Sequence, residues 1–364
     1  MKLEFYVGLM SGTSLDGVDA VLVEFGPRSP RIASSAHHPF DPALRAELLA
    51  LNTPGEDEIE RAAVTGNELA RCYAAAVASL LKTSALRRQQ IRAIGCHGQT
   101  VRHHPERGYT LQIGNAALLA ELAGIRVVSD FRSRDVAAGG QGAPLAPAFH
   151  AALFGSREES RTVLNLGGIA NLTFLARDGS VAGFDCGPGN CLMDSWCAAH
   201  LGEPFDRGGE WAAGGGVDDE LLGRLLQEPY FALPPPKSTG RDHFNEVWLR
   251  ARLGDALEPR SVQATLLELT ARSIAEAVGR HCPATARVIA CGGGTGNSAL
   301  MARLGELLRP VELETSDRHG IHPQLVEATA FAWLARQTLR NEPGNLPSVT
   351  GARGPRVLGA VYPP

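Results

Sequence analysis

Short apolar runs separated by glycine-rich turns open the chain, and the same arrangement recurs near its middle. Residues 5–10 and 18–25 are predicted strands joined by a Gly/Ser/Thr/Asp turn, and a third strand is expected over residues 31–38. A strand, a glycine-containing turn and a second strand return over residues 162–175. This similarity at half-chain spacing predicts two related lobes.

Helical periodicity alternates with further apolar runs along the rest of the chain. Residues 261–280 carry apolar side chains spaced four, three and four apart, which is typical of a helix with one buried face. Pro323 is a good first-turn residue and predicts the start of the last helix. Other helices are predicted at 56–82, 115–123 and 190–200, and other strands at 91–96, 109–113, 126–129, 181–185 and 288–291. Strands alternating with helices predict an α/β protein.

The length of 364 residues exceeds one ordinary hydrophobic core, so two lobes of comparable size are expected. We predict a first lobe over residues 1–145, onto which residues 325–364 pack back, and a second lobe over residues 146–324. Residues 130–147 are rich in Gly and Pro and lack periodicity. They predict either a crossing between lobes or an active-site loop.

Charge and cysteine content narrow the class of protein. The chain has 35 basic and 39 acidic residues and no basic stripe, which disfavours nucleic acid or an anionic membrane surface as a partner. Glu4 interrupts the N-terminus before a signal peptide can develop, and no apolar run approaches the about 20 residues that span a bilayer. Seven cysteines without a CxxC pair favour reduced thiols and a cytoplasmic protein.

Phosphate binding would need an unusual device here, because neither GxxxxGK[ST] nor a complete GxGxxG is present. The turn at residues 11–14, Ser-Gly-Thr-Ser, offers backbone N–H groups, close approach and hydroxyl donors to a phosphate. Asp16 adds an oxygen that could hold Mg²⁺ directly or through water. The alternative is an ordinary hairpin turn in which Thr13 and Asp16 are spaced as a helix cap.

Two more glycine turns follow predicted strands in the second half. Residues 165–168, Asn-Leu-Gly-Gly, form the turn equivalent to 11–14, although a simple hairpin explains them equally well. Residues 292–297 contain three consecutive glycines between a strand and a helix. Bare backbone there would let a base or ribose pack closely, and the helix N-terminus favours phosphate, so nucleotide binding is preferred over a tight turn.

Single polar residues supply the remaining candidates. Asp185 is placed at the carboxyl end of a predicted strand, where ligands gather in α/β sheets, and its glycine neighbours suit a general base. The alternative is a helix N-cap. Glu327 lies in the first turn of the last predicted helix, where interaction with the helix dipole is a sufficient explanation. His97, His103 and His104 could be metal ligands but are expected to be exposed loop residues.

Together these motifs resemble the anhydro-N-acetylmuramic acid kinase family. The resemblance is collinear over nearly the whole chain and is carried by GLMSGTSLDGVDA (8–20), GCHGQTVRHHP (95–105), DFRSRDVAAGGQGAPLAP (130–147), NLGGIANLT (165–173), GFDCGPGN with Met193 and Asp194 (183–194), GGG with Asn297, and HPQLVEATAFAWLA (322–335). Cys186 stands where Thr is expected, and Thr295-Gly296 differ from the expected pair.

The resemblance implies an actin-like, ribonuclease H-like fold of two lobes about a central nucleotide cleft. It also implies ATP and Mg²⁺, a cytoplasmic homodimer, and a role in recycling cell-wall (peptidoglycan) sugars. The implied substrate is 1,6-anhydro-N-acetylmuramic acid, and the product is N-acetylmuramic acid 6-phosphate. Because O6 is tied to C1 in this sugar, water must attack C1 before O6 can take the γ-phosphoryl group of ATP, and Asp185 would deprotonate that water.

The family's site residues transfer to matching positions in this chain. Asp16 would be a Mg²⁺ ligand, and Asp185 in the second lobe would be the catalytic base. The implied nucleotide-binding residues are Ser11, Gly12, Thr13, Ser14, Leu15, Asp16, Gly17, Val18, Asp19, Asn165, Gly167, Gly168, Gly293, Gly294 and Asn297. The implied sugar-binding residues are Glu327, His97, Gln99, Asp130 and Arg132.

Two other functions compete with a sugar kinase. A chaperone-like ATPase of the same superfold would keep the three glycine turns without needing a base at Asp185. A metal-dependent hydrolase would use the histidines between His97 and His104, and would act without ATP. Bound transition metal in the purified protein would favour the hydrolase.

Overall fold

The computed structural model describes residues 3–12, 15–27, 30–254 and 257–364. The strands are β1 (Glu4–Met10), β2 (Gly17–Phe25), β3 (Arg31–Pro39), β4 (Ile91–Cys96), β5 (Gln99–His104), β6 (Tyr109–Ile113), β7 (Val127–Ser129), β8 (Ser160–Leu166), β9 (Ile169–Leu175), β10 (Val181–Pro188), β11 (Thr285–Cys291), β12 (Glu312–Thr315) and β13 (Ala360–Tyr362). The helices are α1 (Pro42–Ala50), α2 (Glu58–Thr83), α3 (Ala116–Ala123), α4 (Ser133–Ala137), α5 (Ala146–Phe154), α6 (Cys191–Leu201), α7 (Glu210–Ala213), α8 (Asp219–Leu226), α9 (Pro229–Ala232), α10 (Glu246–Arg250), α11 (Pro259–His281), α12 (Ser298–Leu307), α13 (Val326–Leu339) and α14 (Pro347–Thr350).

Contacts between Cα atoms divide the chain into two compact units. The first unit comprises Met1–Leu153 and Leu325–Pro364, and the second comprises Phe154–Gln324. The lobe bounds expected from the sequence differ from this division mainly in residues 146–153, which belong to α5. The first unit is therefore discontinuous in sequence, because its final segment follows the whole of the second unit.

The first unit is built on a six-stranded sheet in the order β13-β7-β4-β1-β2-β3. β1, β2 and β3 form an antiparallel meander, while β4 runs parallel to β1 and β7 parallel to β4. Side chains of successive strand residues point to opposite faces. Val7 accordingly lies in one core cluster with Tyr73 of α2, and Tyr6 lies in another with Phe331 of α13. Both faces of β1 are buried, which explains its continuous apolar run.

The second unit repeats this plan in a five-stranded sheet ordered β10-β9-β8-β11-β12. β8, β9 and β10 form the meander, and β11 and β12 extend the sheet in parallel from β8. Each unit thus places its first three strands in the order 3-2-1 and continues with two parallel strands. The prediction of an α/β protein with two related halves is confirmed.

Two predictions about local structure were wrong in detail. Pro323 does not begin the last helix, because its carbonyl accepts a hydrogen bond from the Gly292 N–H (3.0 Å) and a 3₁₀ turn precedes α13. Residues 130–147 are not a loop throughout, since they contain α4 and the start of α5. The segment folds around the fully buried Asp135, whose carboxylate accepts hydrogen bonds from the Gly142 N–H, Asn345 and Thr350.

Candidate active site

The turn between β1 and β2 is anchored by a buried serine. Ser11 is 2% exposed. Its hydroxyl lies 3.0 Å from the Tyr73 hydroxyl and donates to the Gly98 carbonyl at 3.2 Å. The side chain therefore fixes the turn, and its backbone is the part that can face a phosphate. The predicted hydroxyl donors Thr13 and Ser14 lie outside the described residues.

The second half of this turn has a constrained backbone. Leu15 has a φ of 53°, and its N–H donates to the Gly12 carbonyl at 3.3 Å. Asp16 is exposed at the tip, and its carbonyl accepts from the Phe40 N–H at 3.2 Å. β2 begins at the next residue. The turn joins two strands of a hairpin, as expected, and Asp16 is followed by a strand rather than a helix. Thr13, the other residue of the suggested cap, lies outside the described residues.

The first residues of β2, which were predicted to bind nucleotide, extend the sheet. Gly17 and Val18 are buried and pair with β3. Asp19 lies opposite Met10 of β1 and places Oδ1 2.9 Å from Nδ1 of His37. Burial raises the pKa of the Asp19 carboxyl, against the opposing effect of His37. These residues support the turn from behind.

A histidine and an arginine lie beside the same turn. The guanidinium of Arg132 donates two hydrogen bonds to Nε2 of His97, at 3.2 Å from Nε and 2.9 Å from Nη2. Burial and the Arg132 charge lower the pKa of His97 to about 3, so the imidazole is neutral. Burial lowers the pKa of Arg132 to about 10, and the nearby Glu327 opposes that effect. Glu327 is exposed in the first turn of α13.

The other two predicted sugar contacts differ in accessibility. Gln99 is buried, and its Nε2 donates to the Gly12 carbonyl at 3.4 Å, while Oε1 has no partner among the described residues. Asp130 is exposed with a φ of 59° and accepts a hydrogen bond from the Ser133 hydroxyl at 2.5 Å. A single unit thus gathers the β1–β2 turn, Gln99 and the His97–Arg132 pair.

The histidines do not assemble a metal site. His103 contacts Thr110 at 2.9 Å and His104 contacts Glu106 at 3.0 Å, both on the β5–β6 hairpin. His97 is buried, so the expectation of an exposed loop residue was wrong for it, and it already accepts hydrogen bonds from Arg132. Within residues 3–12, 15–27, 30–254 and 257–364, no three His, Cys, Asp or Glu side chains are grouped to hold a metal ion. The metal-hydrolase alternative therefore gains no support.

In the second unit, the β8–β9 turn is bound to the start of α6. The Gly168 carbonyl accepts from the N–H groups of Gly189 and Cys191, and the Gly167 carbonyl accepts from that of Asn190, at 2.9–3.1 Å. Only glycine fits at position 189, because a Cβ there would lie 2.3 Å from the Gly167 oxygen. The turn is a hairpin, as expected, and it also fixes the segment that follows β10.

The triple-glycine turn contains glycines of two kinds. Gly292 has a φ of 87°, and a Cβ there would lie 2.4 Å from Oδ1 of Asn165, so packing requires glycine. Gly294 is buried against Asn190. Gly293 is exposed, and a Cβ there would meet no atom within 4 Å. Asn297 caps α12 by accepting from the Leu300 N–H at 3.0 Å. Bare backbone therefore lies at the N-terminus of a helix, the arrangement that suits an anionic nucleotide.

Asp185 is a half-buried carboxylate inside β10 rather than at its end. The strand continues to Pro188, and α6 begins at Cys191, so the N-cap alternative was wrong. A register irregularity between Asp185 and Gly187 interrupts the pairing with β9. Burial raises the pKa of Asp185 to about 6, although the hydrogen bond from the Thr239 N–H to Oδ2 (3.0 Å) opposes it. This carboxyl can exchange a proton near neutral pH.

The segment that holds Asp185, residues 230–239, was not predicted from the sequence. The Asp185 N–H donates to the Lys237 carbonyl (3.1 Å), and the Tyr230 hydroxyl donates to the Asp185 carbonyl (2.8 Å). Together with Thr239, these residues fix the backbone and side chain of the base candidate from one direction. The only sequence signal was the polar run 237–241, Lys-Ser-Thr-Gly-Arg, after three prolines.

A second carboxylate with a shifted pKa lies near the start of α6. Burial raises the pKa of Asp194 to about 6, and the Arg241 charge opposes the shift. Its pKa is thus close to that of Asp185, but it lies on a different element and faces a cation. The two carboxylates can be separated by experiment.

Comparison with known proteins identifies the family. A family model described as anhydro-N-acetylmuramic acid kinase matches residues 4–364. The chain belongs to this family. Relatives named anhydro-N-acetylmuramic acid kinase include those of Nitrosospira multiformis, 53% identical, and Variovorax paradoxus, 57% identical, each over 100% of both chains. A ROK family glucokinase from Streptomyces griseus, solved with glucose and AMPPNP, is 15% identical over 92% of this chain and 99% of that one. Its TM-score of 0.42 is too low to support an argument.

Membership in the anhydro-N-acetylmuramic acid kinase family confirms the resemblance stated from the motifs, and with it the prediction of a kinase. The two departures from the expected motifs are accommodated locally. Cys186 is buried, and its Sγ contacts the Ala170 carbonyl at 3.2 Å. Burial, with a smaller effect of Asp185, raises the pKa of this thiol. Thr295 uses its hydroxyl to bond the Gly292 carbonyl at 2.8 Å, which closes the glycine turn.

Proposed function

We propose that this chain opens 1,6-anhydro-N-acetylmuramic acid with water and phosphorylates the released O6 from ATP. The products are N-acetylmuramic acid 6-phosphate and ADP, and the pathway is the recycling of cell-wall sugars. Family membership supports the sugar and the phosphotransferase class. The local chemistry supports the ring-opening step, which an ordinary sugar kinase does not need.

The observation that carries this proposal is the half-buried carboxylate of Asp185, which the Thr239 N–H binds at 3.0 Å and whose pKa burial raises to about 6. A base with a pKa near the working pH is ionised and still basic enough to take a proton in the transition state. The Thr239 N–H occupies Oδ2, so Oδ1 is assigned to the water. In the proposed reaction, Asp185 takes a proton from water, the water oxygen bonds to C1, the C1–O6 bond breaks, and O6 attacks the γ-phosphorus.

The glycine turns and one cavity support ATP as the phosphoryl donor. Gly293 exposes bare backbone, and Asn297 begins α12 directly after it. A cavity of about 500 Å³ in the same unit is lined on one side by Ala299 and Ala302 and on another by Ala212. Small side chains leave room for a flat base, and the helix N-terminus favours the phosphates.

Mg²⁺ is proposed as the accompanying ion, with Asp16 as its protein ligand. Asp16 is exposed at the tip of the β1–β2 turn. Mg²⁺ in phosphoryl-transfer sites is usually held by one or two carboxylates, substrate phosphates and waters rather than by a protein cage, so one carboxylate fits. When bound, the ion neutralises charge on the phosphate oxygens. The backbone of Ser11 and Gly12 would orient those oxygens.

The first unit offers groups suited to the sugar. Arg132 retains a positive charge at neutral pH and could pair with the lactyl carboxylate of the substrate. His97, held neutral by burial and Arg132, is a hydrogen-bonding group rather than an acid. Gln99, Asp130 and Glu327 are proposed to bind hydroxyl or acetamido groups.

The test is incubation with anhydro-N-acetylmuramic acid and Mg-ATP in ¹⁸O-labelled water. The product should be heavier than the substrate by one water and one phosphoryl group, with the label on C1 and none in the phosphate. An unchanged sugar, or a phosphorylated sugar that keeps its anhydro ring, would refute the proposal. Asp185→Asn should lower kcat by about 10²–10⁴ while ATP still binds. Asp178→Asn, an exposed turn residue, is the control and should turn over normally.

A cytoplasmic location and a homodimer are proposed from the family resemblance. All seven cysteines are free thiols, which suits a reducing compartment. Among the described residues, no helix has both the length and the apolar character to cross a bilayer. Light scattering on the purified protein tests the homodimer, and a monomeric mass at micromolar concentration would reject it.

A further inference from the structure

A chain of contacts leads from Asp185 to a buried carboxylate that the reaction does not use. It begins at Thr239, whose backbone N–H binds Oδ2 of Asp185 at 3.0 Å. The Thr239 hydroxyl lies 3.2 Å from Nδ1 of His243. The other imidazole nitrogen, Nε2, lies 3.3 Å from Oε1 of Glu228. Four residues from three segments are therefore connected in series.

At the far end of this series of contacts, Glu228 is held by several hydrogen bonds. The Glu228 side chain is 7% exposed and accepts from Trp248 Nε1 (2.8 Å) and Arg252 Nη2 (2.8 Å). Burial acts to raise the pKa of Glu228, but its hydrogen bonds and the charges of His243 and Arg252 outweigh burial and lower it. Glu228 thus remains a carboxylate, held by Trp248 and Arg252, which lie outside the 237–243 segment.

His243 lies between Glu228 and Thr239. Its Nε2 is 3.3 Å from Oε1 of Glu228, within ion-pair distance, and its Nδ1 is 3.2 Å from the Thr239 hydroxyl, within hydrogen-bond distance. The imidazole is also stacked on Phe244 (centroids 4.4 Å apart) and meets the edge of Tyr230 (5.8 Å). Its orientation is therefore fixed by contacts on both faces and at both nitrogens.

We propose that His243 is a positioning residue for the base: anchored on Glu228, it holds Thr239 so that the Thr239 N–H keeps Asp185 aimed at the water. This inference rests on the proposed function, since it assigns Asp185 the role of base. The backbone between Thr239 and His243 supports this role, because residues 239–244 form one tight turn. In that turn the N–H groups of His243 and Phe244 donate to the Gly240 carbonyl at 3.2 and 3.0 Å.

Two effects should follow when His243 is lost. Thr239 would no longer be fixed, so the carboxylate of Asp185 would sample unproductive orientations and kcat would fall. The hydrogen bond that opposes burial would also weaken, so the pKa of Asp185 would rise above about 6. Lys237, a cation in the same segment, donates hydrogen bonds to the Tyr230 and Phe231 carbonyls.

The test compares His243→Phe, which keeps a ring for stacking, with His243→Asn, whose amide oxygen can still accept from Thr239. His243→Phe should lower kcat about tenfold with little change in the KM for ATP. The acid limb, which is the fall of kcat/KM at low pH, should move upward by about half a pH unit. His243→Asn should restore only part of both, because it keeps a partner for the Thr239 hydroxyl but loses the contact with Glu228. Thr239→Val should reproduce the Phe variant, and the double variant should be no worse than either single one.

A matched control is His103→Phe, because His103 forms the same kind of histidine–threonine contact with Thr110 in the other unit. It should change neither kcat nor the acid limb. Unaltered kinetics in His243→Phe, or additive losses in the double variant, would overturn the proposal. If His243→Phe does not fold, the Asn and Thr239→Val variants decide the question by the same criteria.

A readout independent of turnover separates this inference from the proposed function. The carboxyl carbon of Asp185, labelled with ¹³C and assigned with Asp185→Asn, can be titrated by NMR. His243→Phe should raise the titration midpoint relative to the wild type, and His243→Asn should reverse part of that rise. A wild type that leaves the anhydro sugar intact would refute the proposed function. An unmoved midpoint in His243→Phe would refute the role of His243.

Discussion

Arg132 gives two of its donors to a single nitrogen of His97, at 3.2 and 2.9 Å. The guanidinium lies on the unprotonated Nε2, so it fixes the tautomer of the imidazole and lowers its pKa. The pair therefore carries one positive charge, located on Arg132. In a site proposed to bind an anionic sugar, that charge has a specific use.

Removing this charge should change which sugar the enzyme prefers. Arg132→Met should raise the KM for 1,6-anhydro-N-acetylmuramic acid about tenfold or more, because a charge-assisted hydrogen bond to the lactyl carboxylate is lost. The KM for the analogue without the lactyl group, 1,6-anhydro-N-acetylglucosamine, should hardly change. Arg134→Met, two residues away and exposed, is the control. Equal losses for both sugars would show that Arg132 does not read the carboxylate.

The pH profile should show one ionisation belonging to Asp185. A base must be deprotonated, and the pKa of this carboxyl is raised to about 6, so kcat/KM should fall as the pH drops through about 6. Initial rates between pH 4.5 and 8, measured at subsaturating sugar, will locate the limb. Asp194→Asn should leave it in place, although the pKa of Asp194 is also raised to about 6. If that substitution removed the limb, Asp194 would be the base.

The same carboxyl should make the enzyme less stable at neutral pH than its amide variant. The pKa of Asp185 in the folded protein lies above its usual 3.8, so the folded state binds the proton more tightly than the unfolded state does. That contribution to stability is fully present below pH 3.8 and is lost as the pH rises through about 6. Asp185→Asn should therefore be more stable than wild type at pH 7.5 by about 1–3 kcal/mol.

Thermal unfolding at several pH values measures this difference. The gain of Asp185→Asn should shrink steadily toward pH 4, where both proteins carry a neutral side chain. If Asp185→Asn is less stable than the wild type at every pH, the surroundings stabilise the ionised carboxylate. A raised pKa of Asp185 would then be contradicted.

Adjacent glycines in the 292–294 turn should respond differently to substitution. Gly293→Val should weaken ATP binding with little effect on stability, because the side chain would occupy open space where the nucleotide is proposed to lie. Gly292→Ala should instead destabilise the protein by about 2 kcal/mol or more, since its Cβ would lie 2.4 Å from Asn165 Oδ1 at a φ of 87°.

Calorimetric titration with a non-hydrolysable ATP analogue, together with thermal unfolding, separates the two effects. Gly223→Ala is a control with equally open surroundings but outside the turn, within α8. Normal ATP affinity in Gly293→Val would remove this turn from the nucleotide site.

The sequence predicted the strands best where both faces of the sheet are covered. β1 and β4 are apolar almost throughout, and the long stripe of α11 is buried as expected. The short helices α7 to α10 were missed, because each has only four to eight residues, and α8, α9 and α10 begin at side-chain caps. Asp218 and Asn245 supply two of those caps.

The candidate base could be predicted from sequence, but its environment could not. The pKa of Asp185 depends on burial and on one N–H located 54 positions later in the chain. That donor belongs to the backbone of Thr239, and every residue except proline has such a group, so side-chain identity gave no signal. His243 was equally invisible, because its role follows from a turn that had no predicted structure.

The buried carboxylate of Asp135 joins parts of the chain that are made far apart in time. Its partners Asn345 and Thr350 follow the whole of the second unit, so on the ribosome they emerge after residues 154–324. During synthesis all strands of the second unit become available before the first unit is complete. Until then, Asp135 in the first unit lacks its hydrogen-bond donors Asn345 and Thr350. The earlier half of the sequence should therefore be the later half to reach its native state.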